Sequence, residues 1–170
     1  QGATSGDDLL LGFTGDDSFD GLQGDDEIRG FAGNDTLRGG PGDDFLIGGA
    51  GDDIFQFDLG DGVDEISDRS GSNILRFGDG IDLQSVRVTR DHDSLYLSIA
   101  DSGDRVGVQS WLSAAQPQLS QVCFADGTTW SAADVESRVT LVPASDFDDI
   151  LWGTDGADVI CGFGGDDVIN

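Results

Sequence analysis

The sequence predicts an all-β chain that opens as a solenoid of stacked turns, and two periodicities carry that prediction. Over residues 1–56 a carboxylate, a glycine and a hydrophobe recur on a nine-residue clock. From Phe57 the clock gives way to period-two alternation of apolar residues, the mark of half-buried strands. Three segments follow: a repeat block at 1–56, a β-rich segment with one short helix at 57–141, and a second, short repeat block at 142–170.

Written in register, the opening reads SGDDLLLGF, TGDDSFDGL, QGDDEIRGF, AGNDTLRGG, PGDDFLIGG, AGDDIFQFD. Aspartates fall at Asp8, Asp17, Asp26, Asp35, Asp44 and Asp53, and Leu10, Phe19, Ile28, Leu37, Leu46 and Phe55 follow each by two. Gly6, Gly15, Gly24, Gly33, Gly42 and Gly51 precede each by two, and a further set stands at Gly12, Gly21, Gly30, Gly39 and Gly48. The glycine-rich half of each unit must turn tightly, using backbone angles open mainly to glycine. The other half, such as D-T-L-R, is a short strand that turns one apolar residue inward.

Two units make one coil, so strands n and n+2 stack on one face and their turns stack with them. Carbonyl oxygens and aspartates from those two turns then surround a hole lined by oxygen alone. A hard cation with six to eight oxygen ligands at about 2.3–2.6 Å suits such a hole. Calcium fits ahead of magnesium, which resists losing its waters. One inward apolar residue per unit is a thin core for so much ordered backbone, and stacked carboxylates repel, so ion binding and folding are expected to be one event.

Composition agrees. The chain carries 34 acidic against 8 basic residues, a net charge of −26, which argues against nucleic acid or an anionic membrane as partner. Acidic chains are often disordered, but 37% of these residues are apolar and the acids are spaced rather than blocked. All the basic residues are arginine, so a lysine nucleophile or Schiff base is excluded. Cys123 and Cys161 lack metal-type C-x-x-C spacing and are read as free buried thiols rather than a disulfide. No run approaches the roughly 18 apolar residues of a membrane span. The opening QGATSGDD has neither a charged n-region nor an apolar h-region, so no cleavable signal peptide is expected. The sequence stops inside the repeat GFGGDDVIN, as expected of a piece of a longer protein with flanking domains.

These units resemble the G-G-x-G-x-D-x-U-x nonapeptides of the RTX (repeats-in-toxin), or haemolysin-type, calcium-binding family. The resemblance implies a parallel β-roll with calcium held between turns on both edges. Each ion would take the aspartate and two carbonyls from each of two turns. The pairs Asp8 with Asp26, Asp17 with Asp35, Asp26 with Asp44, and Asp35 with Asp53 imply about four full sites, with partial sites at the ends. The implied carbonyl donors are Gly6 and Gly15, then Gly21, Gln23 and Gly24, then Gly30, Ala32 and Gly33. They continue with Gly39, Gly40, Pro41 and Gly42, and with Gly48, Gly49, Ala50 and Gly51. Phe13, Leu22 and Phe31 stand where the second glycine is expected, as does Phe163, which makes those turns less regular. The neighbouring acids Asp7, Asp16, Asp25, Asp43 and Asp52 are placed on the solvated flank, acting by long-range charge.

The middle segment alternates at Val86 and Val88, at Leu95, Leu97 and Ile99, and at Val106 and Val108, which predicts antiparallel strands. QVCFA leads through an Asp126-Gly127 turn to TTW, and SAADVESR reads as a short helix with Ser131 as N-cap and Asp134 in its first turn. A roll cannot expose its last apolar rung, so an atypical capping unit is expected here. G-D-G-V-D-E-I (60–66), F-G-D-G-I (77–81), V-R-V-T-R, S-L-Y-L-S-I and F-A-D-G-T-T-W (124–130) resemble the capping segment that follows many RTX blocks. Asp61 and Asp64 are candidates to complete a terminal site beside Asp44, although the nine-residue position itself is Gly62. The second block, ASDFDDILW, GTDGADVIC and GFGGDDVIN, brings Asp149, Asp158 and Asp167 as ligands, Asp149 pairing with Asp167, and Leu151, Ile160 and Ile169 inward; Phe147 replaces a turn glycine.

No catalytic constellation emerges. His92 lies between Asp91 and Asp93 in a predicted turn, no G-x-S-x-G occurs, and a phosphate-binding G-x-x-x-x-G-K needs a lysine. Trp111, Trp130 and Trp152 read as core or cap residues, with an aromatic sugar platform as the other use. The expected function is therefore a non-enzymatic calcium-binding module that folds outside the cell. The resemblance implies export by a type I secretion machinery of a Gram-negative bacterium, as an unfolded chain, supporting a larger secreted toxin, enzyme or adhesin. The alternative is a carbohydrate- or surface-binding module of an adhesin or polysaccharide-acting enzyme, marked by exposed tryptophans. A catalytic domain built around His92 is the third possibility.

Overall fold

The structure, a computed structural model, describes residues 2–68, 70–91, 93–111, 118–141, 150–151 and 168–169. His92, Trp152, Cys161, Phe163 and the expected ligands Asp149, Asp158 and Asp167 lie outside the described residues. The chain divides into two units, Gln1–Thr140 and Leu141–Asn170.

The six nonapeptides give six strands: β1 (Leu9–Leu11), β2 (Ser18–Asp20), β3 (Glu27–Ala32), β4 (Thr36–Arg38), β5 (Phe45–Ala50) and β6 (Ile54–Phe57). Odd strands pair in parallel with odd, matching Leu10 to Ile28 and Ile28 to Leu46. Even strands pair with even, matching Phe19 to Leu37 and Leu37 to Phe55. Each coil is thus two nonapeptides, and each sheet takes every second strand. Residues eighteen apart therefore share a sheet and a face, while residues nine apart stand in opposite sheets.

After β6 the coil lengthens to twenty residues. β7 (Val63–Ile66) joins β5 with Leu46 opposite Ile66, and β8 (Ile74–Phe77) joins β6 with Phe55 opposite Leu75. β9 (Val86–Arg90), β10 (Leu95–Ile99) and β11 (Arg105–Val108) form the expected antiparallel meander. β11 then lies parallel on β7, with Val108 opposite Ile66. β12 (Gln121–Cys123) lies parallel on β8, and β13 (Thr129–Ser131) folds back on β12 through a turn where Gly127 takes a φ of 86°. Helix α1 (Ala132–Glu136) follows with Ser131 as N-cap, in a capping box closed by Asp134. The last strand of the larger sheet, β14 (Val139–Leu141), lies beside β9. The strands after Phe57 therefore extend both roll sheets, to eight and six strands.

The core consists of two facing columns. Leu10, Ile28, Leu46, Ile66 and Val108 form one, and Leu37, Phe55, Leu75 and Val122 the other; all are buried, and Phe19 is partly so. At the closed end the second column widens into aromatics: Phe124 meets Phe77 at 5.5 Å and Trp130 at 4.7 Å. In the second unit, β15 (Ile150–Leu151) pairs in parallel with β16 (Val168–Ile169), again eighteen residues apart.

Candidate metal centre

Every nonapeptide places one aspartate at the end of a turn, just before a strand, and the stack draws these residues into two files. On one edge the amide of Asp8 donates to Asp26 Oδ1 at 2.7 Å, Asp26 to Asp44 Oδ1 at 2.7 Å, and Asp44 to Asp64 Oδ1 at 3.2 Å. On the other, Asp17 donates to Asp35 Oδ1 at 2.8 Å, Asp35 to Asp53 Oδ1 at 2.7 Å, and Asp53 to Asn73 Oδ1 at 2.9 Å. One oxygen of each inner carboxylate is thereby spent on the coil before it.

The other oxygen has no partner. Oδ2 of Asp26, Asp35, Asp44, Asp53 and Asp64 is buried without a hydrogen bond. A Cβ on Gly21 would overlap both Asp26 Oδ2 and the Gly39 carbonyl oxygen, and one on Gly30 would overlap Asp35 Oδ2 and the Gly48 carbonyl oxygen. Glycine is required there because a carboxylate and a carbonyl of the next coil converge on its open side. Buried carboxylate oxygens facing carbonyl oxygens are acceptors facing acceptors, an arrangement only a cation or a proton can satisfy. The donor set is hard oxygen throughout, which fits calcium. Among the described residues no three His, Cys, Asp or Glu side chains cluster as a metal site, so backbone oxygens must share the coordination.

The protonation energetics agree. Burial pushes the Asp44 carboxyl up to about 7, with the charges of Asp26, Asp61 and Asp25 adding to it against the Asp26 amide bond. Asp64, the deepest, is pushed up to about 8 by burial and then by Asp44. Asp53 rises to about 6, through burial and the nearby charges of Asp68 and Asp35. Asp26 and Asp35 shift the same way, again chiefly by burial.

Not every expected ligand stands alike. Asp8 Oδ2 accepts from the Thr4 amide and hydroxyl, and Asp17 Oδ2 from the Phe13 amide at 2.7 Å, so the first coil satisfies its carboxylates locally. Of the expected carbonyl donors, Gly30 and Ala32 lie at the end of β3 and Gly48, Gly49 and Ala50 at the end of β5, while the others from Gly6 to Gly51 lie between strands. Pro41 and Ala50 also accept from the Gly24 and Gly33 amides, at 3.1 and 2.9 Å. Asp64, not Gly62, continues the first file. Asp61 does not point into it: its Oδ2 accepts from the Asp58 amide at 2.7 Å, and the Arg38 guanidinium lies 3.6 Å from its Oδ1.

Two participants were not expected. Asn73 continues the second file, and Asp68 takes the chain position held by Gly12, Gly30 and Gly48 in earlier coils. The signal was available as the twenty-residue steps from Asp44 to Asp64 and from Asp53 to Asn73, which a strict nine-residue clock passes over. The exposed acids also do more than add charge. The amides of Asp25, Asn34, Asp43 and Asp52 donate to Oδ1 of Asp7, Asp16, Asp25 and Asn34, one coil earlier, at 2.7–3.0 Å. A second ladder therefore runs along each rim in the opposite sense to the first. Leu22 and Phe31 hold the glycine conformation of the second turn position, at φ of 80° and 75°.

Family comparison matches the RTX calcium-binding nonapeptide repeat over residues 3–28, 29–63 and 143–170, more than half of the chain. The haemolysin-type calcium binding protein related domain matches over residues 95–134. Comparison with curated proteins finds no match. Among solved structures, the AlgE6R3 subunit of the Azotobacter vinelandii mannuronan C5-epimerase is similar, with 26% identity and a TM-score of 0.52. That match covers 94% of this chain and 97% of the subunit. The extracellular lipase LipA of Serratia marcescens aligns at 20% identity and a TM-score of 0.26, over 98% of this chain but only 23% of the lipase. With its repeats matched and its turns stacked as two files of aspartates, the chain belongs to the haemolysin-type, or RTX, calcium-binding nonapeptide-repeat family.

Proposed function

We propose that this calcium-binding module is a folding switch of an exported protein, driven by the calcium concentration on the two sides of a membrane. The observation that carries the reading is the row of buried, partnerless Oδ2 atoms on Asp26, Asp35, Asp44, Asp53 and Asp64. Without a cation, forming the roll brings these carboxylates together in a low-dielectric edge, in a chain that already bears a net charge of −26. Bound calcium supplies the positive charge that links adjacent coils.

The residues assigned to hold it are Asp26 with Asp44 and Asp44 with Asp64 on one edge, and Asp17 with Asp35 and Asp35 with Asp53 on the other. Carbonyls of the turns at 21–24, 30–33, 39–42 and 48–51 complete the shells. Asp8 with Asp26 and Asp17 with Asp35 are the weaker entry sites, since Thr4 already engages Asp8 and the Phe13 amide engages Asp17. Asp149, Asp158 and Asp167 supply the second block by the same sequence logic. Extracellular calcium modules work at about 10⁻⁴–10⁻³ M. The chain would then stay unfolded in a cytosol poor in calcium, suit a type I secretion machinery, and fold once outside. The module itself performs no chemistry, and the parent protein supplies the activity.

A carbohydrate-binding role would call for exposed tryptophans. Trp111 and Trp130 are instead buried in the cap, at 5% and 3% exposure. The deciding experiment is a far-ultraviolet circular dichroism titration with calcium, and with magnesium as control. A coil-to-β transition near millimolar calcium, absent with magnesium, is expected. A chain equally folded in chelator would overturn the switch.

A further inference from the structure

At the inner turns of the second edge, the following coil presents a backbone carbonyl to the site. The open side of Gly12 faces the Gly30 carbonyl oxygen, and that of Gly30 faces the Gly48 carbonyl oxygen. At Gly48 the pattern changes: a Cβ there would overlap Oδ2 of Asp53 and Oδ2 of Asp68 instead. We propose that the last turn is a calcium site of a different kind, in which the Asp68 carboxylate takes the place of the next coil's carbonyl and supplies the second charge that the neutral Asn73 cannot bring to the ion. The proposal rests on the calcium reading above and deepens it.

Three further observations support the assignment. Asp53 is 1% and Asp68 1% exposed, and Asp53 Oδ2 has no hydrogen-bond partner. Two carboxylate oxygens turned toward one buried point call for a cation or a shared proton between them, and at neutral pH a divalent cation satisfies both charges at once. Asp68 is also held in place. Its Oδ2 accepts from the Gly49 amide at 2.8 Å, its Oδ1 from the Ser70 amide at 3.0 Å, and its own amide donates to Gln118 Oε1 at 3.0 Å. Gln118 belongs to the capping segment and is itself buried, and its carbonyl accepts from Asn73 Nδ2 at 3.1 Å. The cap thus positions the extra carboxylate. Oxygen-site affinity rises with the number of charged ligands, so Asp68 keeps this end of the roll on a par with the inner turns, where Asn73 alone would leave a single carboxylate.

The test is isothermal calorimetry of calcium binding to the whole chain, its Asp68→Asn variant, and Asp52→Asn as a charge-matched control on the rim. For Asp68→Asn the proposal expects one calcium step to weaken on the order of tenfold or more, with the other steps unchanged. Asp52→Asn should leave that step within about twofold, since exposed charge is screened. Equal profiles for the two variants would overturn the assignment of Asp68 while leaving the calcium reading intact. No binding by the wild type would overturn both. Should Asp68→Asn not fold, long-wavelength anomalous diffraction from calcium-saturated wild-type crystals decides the matter. A peak within about 2.6 Å of both Asp53 and Asp68 supports the site, and its absence there, with peaks at inner turns, removes it.

Discussion

The amide of Asp35 donates to Oδ1 of Asp53 at 2.7 Å, eighteen residues along the chain, while Asp53 Oδ2 remains buried and partnerless. One carboxylate thus has two duties, a structural one that ties coil to coil and an ionic one that demands a cation. Substitutions that separate those duties give the sharpest tests.

Asp44→Asn keeps an Oδ1 acceptor for the Asp26 amide but removes the charge. It should weaken calcium binding on the order of tenfold. In chelator it should raise residual stability, because a buried charge beside Asp26 and Asp61 is gone. Asp44→Ala removes both duties and should lower stability in either condition by about 1–3 kcal/mol. Thermal melts with calcium and with chelator check the pair; parallel behaviour of the two variants would refute the division.

The raised carboxyls fix the sign of a pH effect on the calcium-free chain. Folded values of about 7 for Asp44, 6 for Asp53 and 8 for Asp64 stand above the ordinary 3.8. Between those limits the folded state binds more protons than the unfolded one, so stability falls as pH rises through the window. In chelator the chain should therefore carry more β-structure by circular dichroism at pH 5.5 than at pH 8.5, as protons take the place of the cation. The lowered carboxyls of Asp126 and Asp134 act only below the ordinary carboxylate range and do not interfere. β-structure that increases toward pH 8.5 would contradict this.

Leu22 and Phe31 occupy left-handed backbone at the turn position where Gly40 and Gly49 stand one coil later. That conformation costs a side-chain-bearing residue about 1–2 kcal/mol. Leu22→Gly and Phe31→Gly should each stabilise the calcium-bound form by about 1 kcal/mol, raising Tm by about 2–4 °C. Scanning calorimetry at saturating calcium reads it directly, and a lowered Tm would show that these exposed side chains contribute more than their strain costs.

Phe55 is fully buried in the column between Leu37 and Leu75, whereas Phe13 is 76% exposed on a turn. Phe55→Ala should cost about 3–5 kcal/mol and move the calcium midpoint upward, because the ion must then offset the lost core. Phe13→Ala should leave the titration unchanged. Equal effects would mean that the roll is held by its ions and not by its apolar columns.

The roll was legible in the chain. A period of nine with glycine, aspartate and hydrophobe in fixed phase marks each turn, strand and inward residue, and with two units per coil it sets the columns and the files from Asp8 to Asp53. The helix cap at Ser131 and the hairpin at Gly127 were legible for the same reason, being local backbone chemistry. Packing settled the rest, where the coil grows from eighteen to twenty residues. There Asp64 rather than Gly62 meets Asp44, Asn73 meets Asp53, and Asp68 turns its carboxylate toward the space a carbonyl occupies elsewhere. Gln118, fifty residues from Asp68, reaches that site only because β12 lies on β8. A repeat writes its contacts at a constant separation and can be read from the chain; a cap makes them at separations set by packing, which no local pattern records.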